Sequence, residues 1–401
     1  MKILQINSVC GIRSTGRICT DLADVLKENG HESQIAYGRE KVPPKYQGGA
    51  YRIGSETDVR LHALQARLFD SAGFGSKKVT EKLVGYIDEY GPDVIHLHNI
   101  HGYYLNIEVL FDYLSRTDLP IVWTLHDCWA FTGHCAYFDY AGCYRWKTCC
   151  HNCPQKNEYP ASFFLERTKR NFQKKRELFT SVENMTIVTP SKWMASLVSD
   201  SFLGRYPVHV IRNGIDLETF KPTTSGFSEE YGVGDKKIVL GVASTWSERK
   251  GLRDFDRLAE ILPKDKYKIV LVGVDDTQKK SISPDILCIG RTDSVSKLAG
   301  IYTSADVYVN TTYEDNFPTT NIEALACGTP VITYNTGGSP ESITESCGKV
   351  VDKGDIRALA RLAEEVCESG MLTKNECRLR ATSFDKKKCF KKYIELYSCI
   401  Q

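Results

Sequence analysis

Tyr313-Glu-Asp-Asn-Phe-Pro-Thr-Thr-Asn-Ile-Glu-Ala-Leu-Ala-Cys-Gly-Thr-Pro-Val331 is the stretch from which the fold can be read. It follows a short apolar run, Val307–Asn310, and carries its own helix punctuation. Pro318 suits the first helical turn, where its missing N–H has no intrahelical partner to lose. Gly328 suits the exit, which favours a left-handed residue, and Pro330 stops continuation. Strand, loop, helix, turn and a following strand over Val331–Tyr334 make one repeat of a parallel sheet with crossover helices.

The same rhythm runs in both directions. Lys237–Ala243, Lys268–Val272 and Ile286–Ile289 read as further strands of this half. In the other half the strands read as Ile3–Ile6, Ser33–Tyr37, Asp93–Leu97, Ile121–Leu125, Thr186–Thr189 and Val208–Ile211. Helical patterns lie between them near Thr15–Asn29, Leu61–Ser71, Lys77–Tyr90 and Leu105–Arg116. A length of 401 residues suits two α/β domains. The boundary falls at Arg212–Pro222, where Asn213-Gly214 and Pro222 bracket a loop. The reading is two Rossmann-like, doubly wound domains, 1–212 and 213–380, followed by a basic, aromatic helix at 381–401. Two such sheets facing each other create a cleft, with ligands at the carboxyl ends of the strands.

Apolar residues at 42% and charged residues at 25% describe an ordinary globular protein. A formal charge of +2 gives no electrostatic basis for a nucleic-acid partner. No apolar run approaches a membrane span, and Met1 leads straight into the strand-like Lys2–Asn7 without a signal peptide. The expectation is a cytoplasmic protein, with contact at the inner face of the cell membrane left open.

The helix opening near Pro318 presents the amides around Phe317, Thr319 and Thr320 to solvent. Together with the helix dipole, they make a site for phosphate oxygens. Glu323 follows Thr319 by one turn and leans back toward that terminus, in position to chelate the ribose hydroxyls of a nucleotide. Asp315 lies just outside the helix, within reach of the hydroxyls of a transferred sugar.

This segment resembles the E-x7-E motif of retaining glycosyltransferases of family 4, which have the GT-B fold and usually read E-G-F-G-L-x-x-x-E-A-x-A-x-G-x-P-V. Asp315 occupies the first acidic register, with Glu314 one place earlier, and Glu323 the second. The sugar-binding carboxylate is therefore Asp315 or Glu314. Val210-Ile-Arg-Asn-Gly-Ile-Asp216, followed by Phe220-Lys-Pro222, resembles the family's hinge motif. Ser244-Thr-Trp-Ser-Glu-Arg-Lys-Gly251 resembles its diphosphate-binding loop, with Lys250 as phosphate partner. Thr245 stands where the family carries an arginine, and Arg249 is the candidate substitute. In Asn335-Thr-Gly-Gly-Ser-Pro-Glu341, Gly337 and Gly338 let the backbone approach the donor, with Ser339 as N-cap and Pro340 at the first helical position. Ser14-Thr-Gly-Arg17 resembles the family's glycine-rich loop, placing Gly16 beside the donor and Arg17 beside the acceptor.

His126 stands where the family has a histidine contacting the transferred sugar, and Asp127 adjoins it. His96, His98 and His101 form an H-x-H-x2-H pattern, in which acceptor contact or structural hydrogen bonding competes with zinc. The resemblance implies a retaining hexosyl transfer from a nucleotide-diphosphate sugar to a glycan or lipid-linked oligosaccharide in surface polysaccharide biosynthesis. It implies front-face attack, with Lys250 and the amides stabilising the leaving diphosphate and no metal required for catalysis. Asp275-Asp276 forms no D-x-D site. Inversion with His126 or Asp127 as base is the mechanistic alternative. A nucleotide-sugar epimerase of the same fold and a non-catalytic, metal-braced scaffold are the functional ones.

Of the chain's 15 cysteines, Cys128, Cys135, Cys143, Cys149, Cys150 and Cys153 crowd one insertion, about residues 128–160, together with His134 and His151. Cys150-x-x-Cys153 forms a chelating pair, and Cys135 with Cys143 supplies the other half of a tetrahedral structural zinc site. Packing thiols and disulfides are the alternatives. The segment Trp-Ala-Phe-Thr-Gly-His-Cys…Cys-Pro resembles a region of some bacterial polysaccharide transferases. The basic run Arg167–Arg176, interleaved with Phe163, Phe164, Phe172 and Phe179, reads either as a solvated helix face or as a dock for anionic lipid.

Overall fold

The computed structural model describes residues 1–292 and 294–401. The chain forms two compact units, Met1–Arg212 together with Phe390–Gln401, and Asn213–Cys389. The first contains seven strands: β1 (Lys2–Asn7), β2 (Glu32–Tyr37), β3 (Ala50–Arg52), β4 (Val94–Leu97), β5 (Ile121–Thr124), β6 (Met185–Thr189) and β7 (Val208–Val210). All pair in parallel, in the order β3-β2-β1-β4-β5-β6-β7. The second contains β8 (Lys237–Val242), β9 (Tyr267–Val272), β10 (Leu287–Ile289), β11 (Val307–Asn310), β12 (Val331–Tyr334) and β13 (Gly348–Val351). These are parallel in the order β10-β9-β8-β11-β12-β13.

Both sheets are buried on two faces, which explains their apolar, non-alternating strands. Along β8, Ile238 and Leu240 enter one core cluster while Val239 enters the cluster on the opposite face. Tyr308 and its neighbours Val307 and Val309 divide in the same way along β11. The first unit packs Trp123, Phe111, Phe179 and Trp129 into its main core. In each sheet the strand order reverses beside the unit's first strand, between β1 and β4 and between β8 and β11. Crossover helices there depart to opposite faces and leave a crevice at the strand ends.

Several local expectations are revised. Sequence periodicity did not indicate β3 or β13: each is a short edge strand, and β13 opens on a glycine. The helix after β1 begins at Arg13, so Ser14–Arg17 is its first turn and not a loop. Gly16 is buried there, and a Cβ added to it would sit 3.1 Å from Val9 Cγ2 and 3.2 Å from the Gly11 nitrogen. The helix expected over 381–401 runs from Lys386 to Ile400, and from Phe390 onward it belongs to the first unit. Its Tyr397 hydroxyl meets His96 Nδ1 at 2.7 Å, and its Tyr393 hydroxyl meets Thr124 Oγ1 at 3.0 Å. Where the chain enters and leaves the second unit, the Ile215 N–H donates to Phe384 (2.8 Å) and the Lys386 N–H donates to Ile215 (3.0 Å). Among the described residues, no helix is long and apolar enough to cross a membrane.

Candidate active site

The crevice between β8 and β11 collects the motif residues of the second unit. Two loops meet over it: one after β8, ending in the short turn Glu248–Lys250, and one after β11, running to Pro318. They are laced together through backbone atoms. The Tyr313 N–H donates to the Arg249 carbonyl (2.8 Å), and the Thr311 hydroxyl donates to the carbonyls of Lys250 and Gly251 (3.1 Å each). Gly251 adopts φ +71°, and a Cβ there would lie 2.2 Å from the Thr311 carbonyl oxygen, so only glycine permits this approach. Beneath the loops, the Tyr313 and Tyr334 hydroxyls both donate to Asp254 Oδ2 at 2.7 Å.

That lacing brings Lys250 Nζ onto the carboxylate of Asp315 as a half-buried ion pair. Arg249 does not stand beside it as a second open cation: its Nη1 donates to the Glu314 carbonyl at 2.6 Å and helps tie the two loops. Glu314 itself is 1% exposed. Of the two acids that competed for the first register, Asp315 is therefore the one that faces Lys250.

The helix begins at Thr319, with Pro318 as its N-cap, one residue later than the proline suggests. The Asn321 N–H turns back to the Pro318 carbonyl at 3.3 Å, while the amides of Thr319 and Thr320 precede any i−4 acceptor. Both threonines are half-buried, whereas the Phe317 side chain is core and packs on Phe384. Glu323 lies on the inward face, and its Oε2 accepts from the Tyr302 hydroxyl at 3.0 Å. Burial drives the Tyr302 phenol well above its usual range, and the neighbouring Glu323 carboxylate adds to the shift. Tyr302 is thus a fixed donor that orients this acid.

Asn321 anchors the second glycine segment. Its amide donates to Ser342 Oγ (2.9 Å) and Ser339 Oγ (3.0 Å), and its Oδ1 accepts from Asn310 (2.7 Å). Ser339 is consequently not a helix N-cap: it is fully buried, and its hydroxyl also meets Thr333 Oγ1 at 2.5 Å. Ser339–Ser342 forms a 3-10 turn capped by Gly338, with Gly337 at φ +53°. The Gly338 N–H donates to the Asp315 carbonyl at 3.3 Å, so this glycine pair borders the same crevice.

In the first unit the histidines form two clusters. His98 is buried, with Nδ1 3.1 Å from His126 Nε2 and Nε2 3.2 Å from Gln5 Oε1. His126 is half-buried, and desolvation lowers it to about 4, which keeps the imidazole neutral. Burial likewise lowers His96 and His98 well below the usual range. His101 Nε2 meets Asp127 Oδ2 at 2.8 Å, and its Nδ1 meets the Tyr159 hydroxyl at 2.9 Å. Burial alone would raise Asp127, but the His101 contact and the Trp129 N–H hold it below the ordinary carboxylate value. His98 therefore supports His126 from behind and does not itself line open space. Arg17 is exposed on the helix after β1, and Gly16 packs inward. Sequence motifs did not point to Gln5, Tyr159, Tyr302 or Asn321, whose roles depend on partners far away in the chain.

The cysteine insertion contains two short 3-10 turns, Trp129–Phe131 and Arg145–Lys147, and no other helix or strand up to Thr168. Among the described residues, no three His, Cys, Asp or Glu side chains meet at coordinating distance. The H-x-H-x2-H pattern is accordingly spent on separate hydrogen bonds. No disulfide is formed: all six cysteines of the insertion are free thiols. Of the four phenylalanines beside the basic run, Phe172 and Phe179 are buried, while Phe163 and Phe164 are exposed.

The model of the family described as Glycosyltransferase Family 4 matches residues 15–219, half of the chain, and that described as Glycosyl transferases group 1 matches residues 226–383. The chain belongs to glycosyltransferase family 4. It is a transferase with two Rossmann-like domains of the GT-B type. It is 26% identical over 380 residues to the Escherichia coli K12 protein provisionally described as colanic acid biosynthesis glycosyl transferase WcaC, covering 91% of this chain and 90% of that one. Sucrose-phosphate synthase from Thermosynechococcus elongatus shares the fold at a TM-score of 0.71 and 18% identity, covering 100% of this chain and 98% of that chain. Anabaena Alr3699/HepE, solved with UDP-glucose, shares it at 0.69 and 16%, with both chains fully covered.

Proposed function

We propose that this family 4 transferase moves a hexose, with retention, from a nucleotide-diphosphate sugar onto a glycan or lipid-linked acceptor in polysaccharide biosynthesis. The observation that carries this reading is the Lys250–Asp315 pair at the switch point, next to the amides of Thr319 and Thr320 and to Glu323. The similarity to WcaC supports the polysaccharide context, and that to HepE with UDP-glucose supports the donor class.

Each group has a task in this reaction. The amides and Lys250 bind the diphosphate and stabilise the charge that grows on it as the bond from the sugar's anomeric carbon to the phosphate oxygen breaks. Glu323, oriented by Tyr302, binds ribose hydroxyls, and Asp315 holds a hydroxyl of the transferred sugar. The acceptor oxygen bonds to the same face of the anomeric carbon, and its proton goes to the departing phosphate oxygen. His126, neutral at pH 7, contributes a hydrogen bond to the sugar and no charge. A panel of nucleotide sugars tested for thermal stabilisation, followed by product analysis with the best donor, tests the reading. No stabilisation by any nucleotide sugar overturns it, and epimerisation without an acceptor replaces it.

The acceptor side carries a surface that suits an anionic bilayer. Phe163 and Phe164 are 59% and 71% exposed, and the Phe163 N–H donates to the Arg67 carbonyl (2.8 Å) on the helix Glu56–Phe69. That helix exposes Leu61, Leu64 and Phe69 beside the cations Arg60 and Arg67, with Lys169 and Arg170 close by in the chain. Exposed aromatic and aliphatic groups on a face that also carries arginines match the boundary of acidic headgroups and acyl chains. Of the four phenylalanines expected beside the basic run, only Phe163 and Phe164 are exposed enough to take part. Binding to vesicles containing phosphatidylglycerol should fall with salt and with a Phe163→Ser/Phe164→Ser pair. Equal sedimentation with neutral vesicles, or none with either, removes the surface from the proposal.

A further inference from the structure

The insertion after β5 poses a problem that the transfer chemistry does not touch. From Cys128 to Arg167 the chain has almost no regular structure, yet it buries Trp129, Phe131, Phe138 and Trp146. Irregular segments of this length within a compact domain are uncommon and usually functional. One small, partly open pocket, with an internal volume of about 10 Å³, lies within it. Cys135, Cys143, Cys150 and Cys153 all line that pocket, although they come from different turns of the segment. No disulfide uses any of them.

Three unsatisfied polar atoms belong to the same pocket lining. His134 is 2% exposed and fixed by a 2.6 Å contact from Nδ1 to Asp70 Oδ1, yet its Nε2 is buried without a hydrogen-bond partner. Trp146 Nε1 and Thr168 Oγ1 are likewise buried and unpartnered. Orphaned buried polar atoms are costly, and three around one pocket call for a polar occupant. Charge points the same way. The Lys175 ammonium is buried, with the Trp129 and Thr132 carbonyls as its hydrogen-bond acceptors at 2.8 and 3.1 Å. The thiols of Cys135 and Cys150 lie within electrostatic range of it. The Asp70 and Asp127 carboxylates share that range, and thiolates among these cysteines would add to the negative charge facing the lysine.

We propose that the insertion is a structural site for a thiophilic divalent ion of the zinc class, held by the thiolates of Cys135, Cys143, Cys150 and Cys153. A tetrathiolate complex carries net negative charge, which Lys175 offsets, and its sulfurs accept hydrogen bonds from Trp146 Nε1 and Thr168 Oγ1. The His134–Asp70 pair supports one edge of the site. Because no three candidate ligands meet at coordinating distance among the described residues, binding turns the cysteine side chains inward and releases four thiol protons to solvent. The ion would do no chemistry on a sugar; it would brace the loop that carries Tyr159 to His101, the partner of Asp127.

Elemental analysis of full-length protein, expressed with added zinc and purified without chelator, should find about one zinc per chain. A mercurial should release it to a chelating dye, and wild-type protein treated with a strong chelator should lose thermal stability. Cys143→Ser and Cys150→Ser should each lower the zinc content at least tenfold, whereas Cys288→Ser and Cys399→Ser, outside the insertion, should retain it. If the cysteine variants fail to fold, alkylation of the wild type decides: the four thiols should be protected until chelator is added. Zinc-free native protein, zinc retained in both Cys143→Ser and Cys150→Ser, or a disulfide among these cysteines overturns the proposal.

Discussion

Lys250 and Asp315 form an ion pair although 65 positions separate them in the chain. The pair stands where the strand order reverses, and it gives the lysine an anionic partner. Replacing Lys250 by Ala should reduce kcat/KM about 10²–10³-fold, in line with the loss of one preorganised donor to a developing oxyanion. The melting temperature should change little, since half-exposed pairs contribute roughly 0–1 kcal/mol. Steady-state kinetics with the identified donor, alongside thermal denaturation, check both parts.

Asp315 and Glu314 should separate cleanly. Asp315→Asn should lower kcat at least about tenfold while the protein remains folded, because its carboxylate is half-buried beside Lys250. Glu314 is 1% exposed, so Glu314→Gln should act on stability before it acts on turnover. Equal kinetic losses with equal melting temperatures would contradict this assignment.

Tyr302→Phe removes the donor that orients Glu323 without changing ring volume. Donor affinity should weaken by about 1–2 kcal/mol, seen as a raised donor KM or Kd with acceptor KM unchanged. Isothermal titration with the nucleotide diphosphate alone distinguishes this from a general loss of fold.

Gly251→Ala should be among the most damaging small substitutions in the second unit. The position combines positive φ with a 2.2 Å approach to a backbone oxygen, so the loops must part to admit a methyl group. A stability loss of about 1–3 kcal/mol is expected, together with a fall in activity. Denaturant unfolding measures the first and initial rates the second.

Acid should unfold the chain through its histidines. Burial lowers His62 and His126 to about 4, with His96 and His98 also shifted down. Between pH 4 and the ordinary histidine value near 6.5, the unfolded chain binds more protons than the native one. Stability therefore rises with pH through that window and levels off above it, with His62 alone contributing up to about 3 kcal/mol. Melting temperatures that stay flat from pH 7.5 to about 4.5 would refute the assignment.

The reach of the sequence followed the range of the interactions. Strands such as Val307–Asn310 and Val331–Tyr334 are set by local apolar runs, and both were legible to the residue. The acids and Lys250 were legible because short motifs carry them. Ser339 was misread because Ser-Pro looks like a helix start, whereas its hydroxyl is claimed by Asn321 and Thr333. Phe172 and Phe179 looked like their exposed neighbours until the helix Thr168–Phe179 turned them inward. Tyr302, Gln5 and Tyr159 act across 21, 93 and 58 positions respectively, and no local pattern announces such partners.

The return of Phe390–Ile400 to the first unit sets an order on biosynthesis. His96 and Thr124 leave the ribosome early, but their partners Tyr397 and Tyr393 emerge only after all of Asn213–Cys389 has been translated. The half of the molecule that is begun first is therefore completed last. Until then it must wait with His96 unroofed.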